Sequence, residues 1–320
     1  MIRVRATLSV VGVVVFLTAS CEKSPQPTEE GRPEHELVIK GAPVVIAVGD
    51  IAVCGTSGDE TTGKLADSLL RADSAEGSQT IIITMGDNAY PSGDQGARNY
   101  YSRCFAPSWG DARIMNVIYP APGNHDYDSG SGDPYFNFFG ARAGPSGKGY
   151  YSFDLGGWHL ISLNSELYFY GGNDAQAKAQ EEWLRSDLQR TRAKCALAYF
   201  HRPYFSSGSH GTSDRLRPLW EILFAGGVDL VLNGHEHDYE RFVPQTPAGV
   251  ADSVNGIEQI VSGTGGASLR AFRDKMAPNS AAHIQGRFGV LKLMLGDDEY
   301  THAFISTDGS VWDVGQRKCR

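Results

Sequence analysis

The chain has 320 residues, 41% of them hydrophobic and 21% charged, with a formal net charge of −8, which is the profile of a globular protein and excludes an intrinsically disordered one. After residue 20 no stretch approaches the ~20 apolar residues of a membrane-spanning helix. The acidic balance, without a basic stripe, argues against nucleic acid as a partner.

Taken in chain order, residues 1–20 read as an export signal. Arg3 and Arg5 precede the apolar stretch 8–17, which is too short and wrongly flanked for a spanning helix. The run Leu17-Thr18-Ala19-Ser20-Cys21 resembles a bacterial lipobox, in which cleavage before the cysteine is coupled to its acylation; Thr18 stands where a larger apolar residue is usual. Cys21 is therefore expected to carry a lipid anchor, the only membrane contact, and the protein to reside in the cell envelope; without the anchor it would be periplasmic or secreted. Residues 21–42, rich in proline and glutamate and including His35, suit a flexible tether. Loss of Arg3 and Arg5 takes the charge from −8 to −10 (−8 − 2). Such a protein needs local positive charge to act on an anion, and metal ions would supply it.

One domain is expected over residues 43–320. Apolar runs at 43–48, 80–85, 116–121, 196–200 and 228–232 predict strands. Helices are predicted at 62–72, 174–192 and 214–224, and this alternation is that of an α/β fold. Residues 150–154 and 158–163 predict a hairpin turning at Gly156-Gly157, and the remainder is β-rich, with strands at 257–262, 289–295, 300–306 and 311–314. Four cysteines follow Cys21, and in an oxidising compartment they suggest two disulfides with three possible connectivities. The expected pairing is Cys54–Cys104, joining two loops, and Cys195–Cys319, pinning the C-terminus.

Asp50, Asp87, Asn124, His201 and His235 each follow the last apolar residues of a predicted strand, the edge of an α/β sheet where ligands bind. In Gly86-Asp87-Asn88-Ala89-Tyr90, Gly123-Asn124-His125-Asp126 and Gly234-His235-Glu236-His237, a glycine that lets the backbone leave the strand sharply precedes a metal-competent side chain. Asp87 has two oxygens with which to bridge two metals ~3.5–4 Å apart. On extended chain His235 and His237 point to opposite sides, which suits ligands of different metals.

These motifs, with Gly49-Asp50-Ile51-Ala52 and Ala198-Tyr199-Phe200-His201, resemble in order those of the calcineurin-like metallophosphoesterases. Within them the tyrosine of GDNAY resembles the purple acid phosphatases, in their short single-domain form. The resemblance runs from Pro43 to the C-terminal strands. It departs at Ala198, which replaces a non-ligand valine, and at Ala52, where the wider superfamily has histidine. With that histidine missing, Tyr90 is placed to replace it, and phenolate suits Fe(III).

The resemblance implies a four-layer α/β/β/α sandwich with two mixed sheets. It implies Fe(III) on Asp50, Asp87, Tyr90 and His237, and a divalent ion (Fe, Zn or Mn) on Asp87, Asn124, His201 and His235. Two carboxylates and a phenolate leave such a pair at about +2, or about +1 with a bridging hydroxide, which would attract a phosphate monoester dianion. The expected activity is an acid phosphatase using metal-bound hydroxide for in-line attack on a small phosphate ester. A phosphodiesterase or nucleotide pyrophosphatase on the same site is the rival, and an inactive surface-tethered binding lipoprotein the remote one. His125 and His210 are candidates to bind phosphate and protonate the leaving group. Arg202 is read as either a phosphate contact or a structural ion pair. Asp126 is expected to orient His125, Tyr239 and Arg241 to pack beneath the GHEH loop, and His159 to be structural; His283 and His302 lie in no motif. The sequence carries no sign of oligomeric state.

Overall fold

Strand β1 (Val44–Val48) is buried at every position, so its apolar run must face packing partners on both sides. Alternate residues divide them. Val45 and Ala47 enter a core lying between two sheets, and Ile46 and Val48 enter a second core under helices. A computed structural model describes residues 37–92, 99–128, 130–170 and 174–320. The export signal, Cys21, His35 and most of the tether lie outside the described residues.

β1 belongs to a six-stranded mixed sheet with β3 (Thr80–Met85), β5 (Ile118–Ala121), β13 (Gly289–Leu295), β14 (Glu299–Ser306) and β15 (Val311–Lys318). Its order is β15-β14-β13-β1-β3-β5, with β1, β3 and β5 parallel and the rest an antiparallel meander. The second sheet has seven strands: β6 (Tyr151–Leu155), β7 (Trp158–Ser162), β8 (Cys195–Phe200), β9 (Leu230–Asn233), β10 (Tyr239–Gln245), β11 (Ile257–Ser262) and β12 (Ser280–Ile284). In the order β12-β10-β11-β9-β8-β7-β6, its four central strands are parallel. A two-residue parallel ladder pairs β2 (Ala52–Val53) with β4 (Ala89–Tyr90).

Helix α1 (Gly58–Ala75) covers the outer face of the first sheet, joined by the short helices α2 (Ala106–Trp109), α3 (Ala112–Val117) and α5 (Asp133–Phe139), while α4 (Asn124–Tyr127) follows the end of β5. Helices α6 (Asp174–Arg190) and α7 (Arg217–Ala225) cover the second sheet through Leu184, Leu219 and Leu223. The layers are therefore α/β/β/α, with two mixed sheets, as expected.

Local boundaries differ from the sequence reading for identifiable reasons. The strand expected from residue 116 starts at Ile118, because Asp111 accepts from Arg113 N, caps α3 and carries the helix through Val117. β10 went unread. Its Tyr239 and Arg241 do not pack beneath the GHEH loop but reach across to the other sheet, where both donate to Asp313 on β15. Cys54 is bonded to Cys104 and Cys195 to Cys319, the expected pairs. Among the described residues no helix is long and apolar enough to cross a membrane.

Candidate metal centre

The C-terminal ends of the parallel strands in both sheets meet at one edge. Gly49 N donates to Ser262 O and Gly265 N to Gly49 O, which closes the gap between the sheets. Asp50, Asp87 and Asn124 come from the first sheet and His201, His235 and His237 from the second. Glycine acts here less as a hinge than as space. Gly86 does turn the chain, with φ +81°, and also leaves room for the His201 ring. Gly123, in ordinary extended backbone, serves only as space, admitting Asp87 and the edge of the His201 ring. The left-handed conformation falls instead on three chemical residues, Asp50 (φ 60°), Asp87 (φ 50°) and His235 (φ 72°). Such backbone is costly outside glycine and concentrates at functional sites.

Each aspartate spends one oxygen on the scaffold. Asp50 Oδ2 accepts from His235 N at 2.7 Å, and Asp87 Oδ1 from His125 N at 2.8 Å. The remaining oxygens face inward. Tyr90 Oη lies 2.7 Å from Asp50 Oδ1, 3.0 Å from Asp87 Oδ2 and 3.3 Å from His237 Nε2. His201 Nε2 lies 3.2 Å from Asp87 Oδ2 and 3.1 Å from both Asn124 Oδ1 and His235 Nδ1. The sequence-predicted residues thus form two donor sets, and a single oxygen, Asp87 Oδ2, belongs to both. This corrects the expectation that Asp87 would offer its two oxygens, since the other is committed to His125 N.

The donors fit cations. Ligands ~2.1 Å from one ion and at right angles stand ~3.0 Å apart, close to the separations seen. His201 Nδ1 donates to Met85 O at 2.9 Å and His237 Nδ1 to Ser268 O at 2.7 Å. Both Nε2 atoms are thereby freed for the site, the usual backing of a metal histidine. In the metal-free chain, protons do a cation's work. Although burial opposes charge on His201, the Asp87 and Asp50 carboxylates lift its pKa to about 10. Burial, then Asp50 and Asp87, push Tyr90 well above the phenol range. Burial, then the charges of His201 and Arg202, hold His235 well below the usual imidazole value.

Around the donors, His125 Nδ1 donates to Pro91 O at 2.6 Å and meets Asp128 Oδ2 at 3.0 Å. Its Nε2 is 3.9 Å from Asp87 Oδ2. His210 stacks on His235 with ring centroids 4.2 Å apart, so the loosely placed loop histidine reaches the site. Asp126 does not orient His125. It accepts from Asn88 N and Nδ2, Gly123 N and Tyr101 Oη, clamping the Asp87 turn to the Asn124 turn. Burial, then the Asp87 charge, raises its pKa to about 7. Of the two readings of Arg202, the ion pair is present: its Nε lies 2.9 and 3.1 Å from the Glu166 oxygens. Its Nη1 nevertheless stands 3.2 Å from His235 Nε2. His159 is held between Asp154 and Asp187 on β7, away from the site. Glu166, Asn88, Glu236 and Arg270 escaped the sequence reading; only Asn88 and Glu236, lying inside motifs, carried a signal.

A double mixed-sheet sandwich with histidine and aspartate donors at its strand ends has the metallophosphoesterase fold. Residues 43–239 match the model of the calcineurin-like phosphoesterase family, and the chain belongs to that family. Acid phosphatase type 7 of Mus musculus is 28% identical over 287 residues, covering 79% of this chain and 63% of its own length. The match spans 43% of the human counterpart, so this chain covers less than two thirds of the length of these curated relatives. The purple acid phosphatase PPD1 from yellow lupin seeds superposes with a TM-score of 0.70 at 22% identity, covering 88% of this chain and 54% of that one. GAP50, the anchor in the inner membrane complex of Plasmodium, superposes at 0.71 with 16% identity, covering 88% and 90%. The family relationship implies a dinuclear metal centre at this site. The likeness to an anchor protein shows that function must be argued from the site and not from the fold.

Proposed function

We propose that the protein is an exported phosphomonoesterase of the acid phosphatase type. The observation that carries the reading is Asp87 Oδ2, shared between a donor set that includes a phenol and one built from two imidazoles and an amide. Asp50, Asp87, Tyr90 and His237 would hold Fe(III); Asp87, Asn124, His201 and His235 would hold a divalent Fe, Zn or Mn ion. When bound, the two cations supply charge for the phosphoryl oxygens and acidify water, so that hydroxide is the in-line nucleophile.

The chain's own residues do the rest. His125, its Nδ1–H held by Pro91 O and Asp128, turns Nε2 inward, where the doubly protonated ring would donate Nε2–H to a phosphoryl oxygen. His210 beside His235 gives its Nε2 proton to the leaving oxygen as the ester P–O bond breaks and the new O–P bond forms. Export is supported by the two disulfides, which suit an oxidising compartment, and Cys21 would carry the lipid. Fatty-acid labelling that disappears in Cys21→Ala tests the anchor.

The activity is tested by comparing turnover of phenyl phosphate with that of its bis-ester, alongside metal analysis. Two metals per chain and preference for the monoester are expected. Faster turnover of the bis-ester would replace the monoesterase by a diesterase. A protein with neither metal nor hydrolysis would be the tethered binding protein.

A further inference from the structure

Glu236 lies between the two histidines of the GHEH segment, and it touches neither donor set. Its carboxylate is fully buried and accepts from five donors on the 206–211 loop. Oε1 takes His210 N at 2.8 Å, Gly211 N at 3.1 Å and Ser206 Oγ at 3.3 Å. Oε2 takes Ser209 Oγ and His210 Nδ1, each at 3.2 Å. A Cβ on Gly208 would come 2.5 Å from Oε2, so the loop is wrapped on the carboxylate as closely as its backbone permits.

The two oxygens have different duties. Oε1 anchors the loop, chiefly through backbone N–H groups, and Oε2 addresses the imidazole. A carboxylate with this many donors is ionised and can only accept, so Nδ1 of His210 must carry a proton, and the proton given to the leaving oxygen is the second one, on Nε2 of the doubly protonated ring. Arg270 Nη1, 3.4 Å from Nδ1, cannot then donate to it and lies instead as a charge beside the pair. Among the described residues Nε2 has no polar partner, and the His210 side chain is 45% exposed. The ring is thus fixed at three points: its backbone, its Nδ1 and its face against His235.

We infer that Glu236 is a positioning residue that acts through His210, holding Nδ1–H and the 206–211 loop so that Nε2 is presented to the ester oxygen leaving phosphorus. The inference rests on the proposed role of His210 as leaving-group acid. It adds that one three-residue segment supplies a donor to each metal set and, between them, the orientation of the acid. The backbone donors of the loop need Oε1 alone, and Oε2 is left to two side chains, Ser209 Oγ and His210 Nδ1.

Glu236→Gln separates the two duties, because the amide oxygen can keep the backbone donors while the NH₂ meets Nδ1. Steady-state kinetics on 4-nitrophenyl phosphate, whose leaving group needs no proton, and on glycerol phosphate, whose leaving group does, give the readout. In the metal-loaded protein Glu236→Gln should lower kcat on glycerol phosphate roughly 10- to 100-fold. On the nitrophenyl ester it should stay within about threefold, with metal content and KM little changed. His210→Ala should show the same split, and the double variant no further loss. If the Gln variant does not accumulate, Glu236→Asp keeps the charge but withdraws it by one methylene and should show the same selective loss. A uniform loss on both esters, or additive effects in the double variant, would overturn the inference. So would selectivity in His210→Ala that is absent from Glu236→Gln, and that outcome leaves the acid role of His210 standing. An unselective His210→Ala removes the acid role, and the inference with it.

Discussion

Tyr90 Oη and Asp50 Oδ1 lie 2.7 Å apart, brought together from β4 and the end of β1 by the small β2–β4 ladder, in which Val53 pairs with Tyr90. In the metal-free chain the phenol donates to the carboxylate. A trivalent ion held there, as proposed, would make both of them anionic ligands. Tyr90→Phe is therefore expected to abolish any phenolate-to-iron absorption in the visible spectrum of the oxidised protein. It should weaken that metal while leaving the divalent ion bound. A colourless parent protein with two divalent ions would refute iron and leave the hydrolase intact.

Metal uptake should release protons. His201, with a pKa of about 10, is an imidazolium at neutral pH, and Tyr90 is a phenol. Both protons occupy positions that a cation takes. The folded pKa of His201 is raised above its ordinary value, so its charge persists across the physiological range and is lost only as pH rises through about 10. Cations must compete with it across the physiological range. Calorimetric titration in buffers of different ionisation enthalpy is expected to show about two protons released near pH 7, and affinity falling with acidification by up to about tenfold per proton per pH unit. Proton-neutral binding would contradict this placement.

The strands that are buried on both faces were legible in the sequence because two-sided burial demands unbroken apolar runs. β1, β3 and β8 show it. β10 was not, since its Glu240 and Arg241 answer to partners on distant segments, Ser207 and Asp313. The donors were legible from their position after strand ends. What was hidden was how the turn is made: Asp50, Asp87 and His235 themselves adopt the left-handed conformation, where the reading gave that work to the preceding glycines. Asp126 was assigned to its neighbour His125, yet its partners come from 25 to 38 residues earlier in the chain as well as from Gly123. Spacing along the chain says nothing of such contacts.

Asp126→Asn tests the clamp. All four of its partners donate, so an amide must turn its NH₂ toward at least one of them. The folded pKa of about 7 lies above the ordinary carboxylate value, so the wild-type fold favours the neutral acid and loses stability as pH rises toward 7, whereas the amide does not titrate. The cost of the substitution is therefore expected to be about 1–3 kcal/mol at pH 6 and to shrink or reverse at pH 8. Urea denaturation of the metal-free protein at pH 6 and pH 8 measures both. Because the clamp also sets Asn124, affinity for the divalent ion should fall roughly 10- to 100-fold. Equal losses at the two pH values would mean that the fold does not discriminate between the charged and neutral forms of Asp126.

His159 offers a pH dependence of the same sign, far from the metals. Its Nδ1 lies 2.7 Å from Asp154 Oδ1 and its Nε2 2.9 Å from Asp187 Oδ2, an arrangement that favours the doubly protonated ring. Burial opposes that charge, but the hydrogen bonds to Asp187 and Asp154 outweigh it and raise the pKa above the usual 6.5. A histidine raised in this way stabilises the fold fully below about pH 6.5, and the contribution is lost as pH rises through the folded value. Asp154 is largely exposed, so screening reduces its share. His159→Gln is expected to cost about 1–2 kcal/mol at pH 5.5 and distinctly less at pH 8.5. Thermal denaturation at the two pH values gives the comparison, with kcat at saturating metal unchanged. A loss that grows with pH would mean that the ring is neutral in the folded protein.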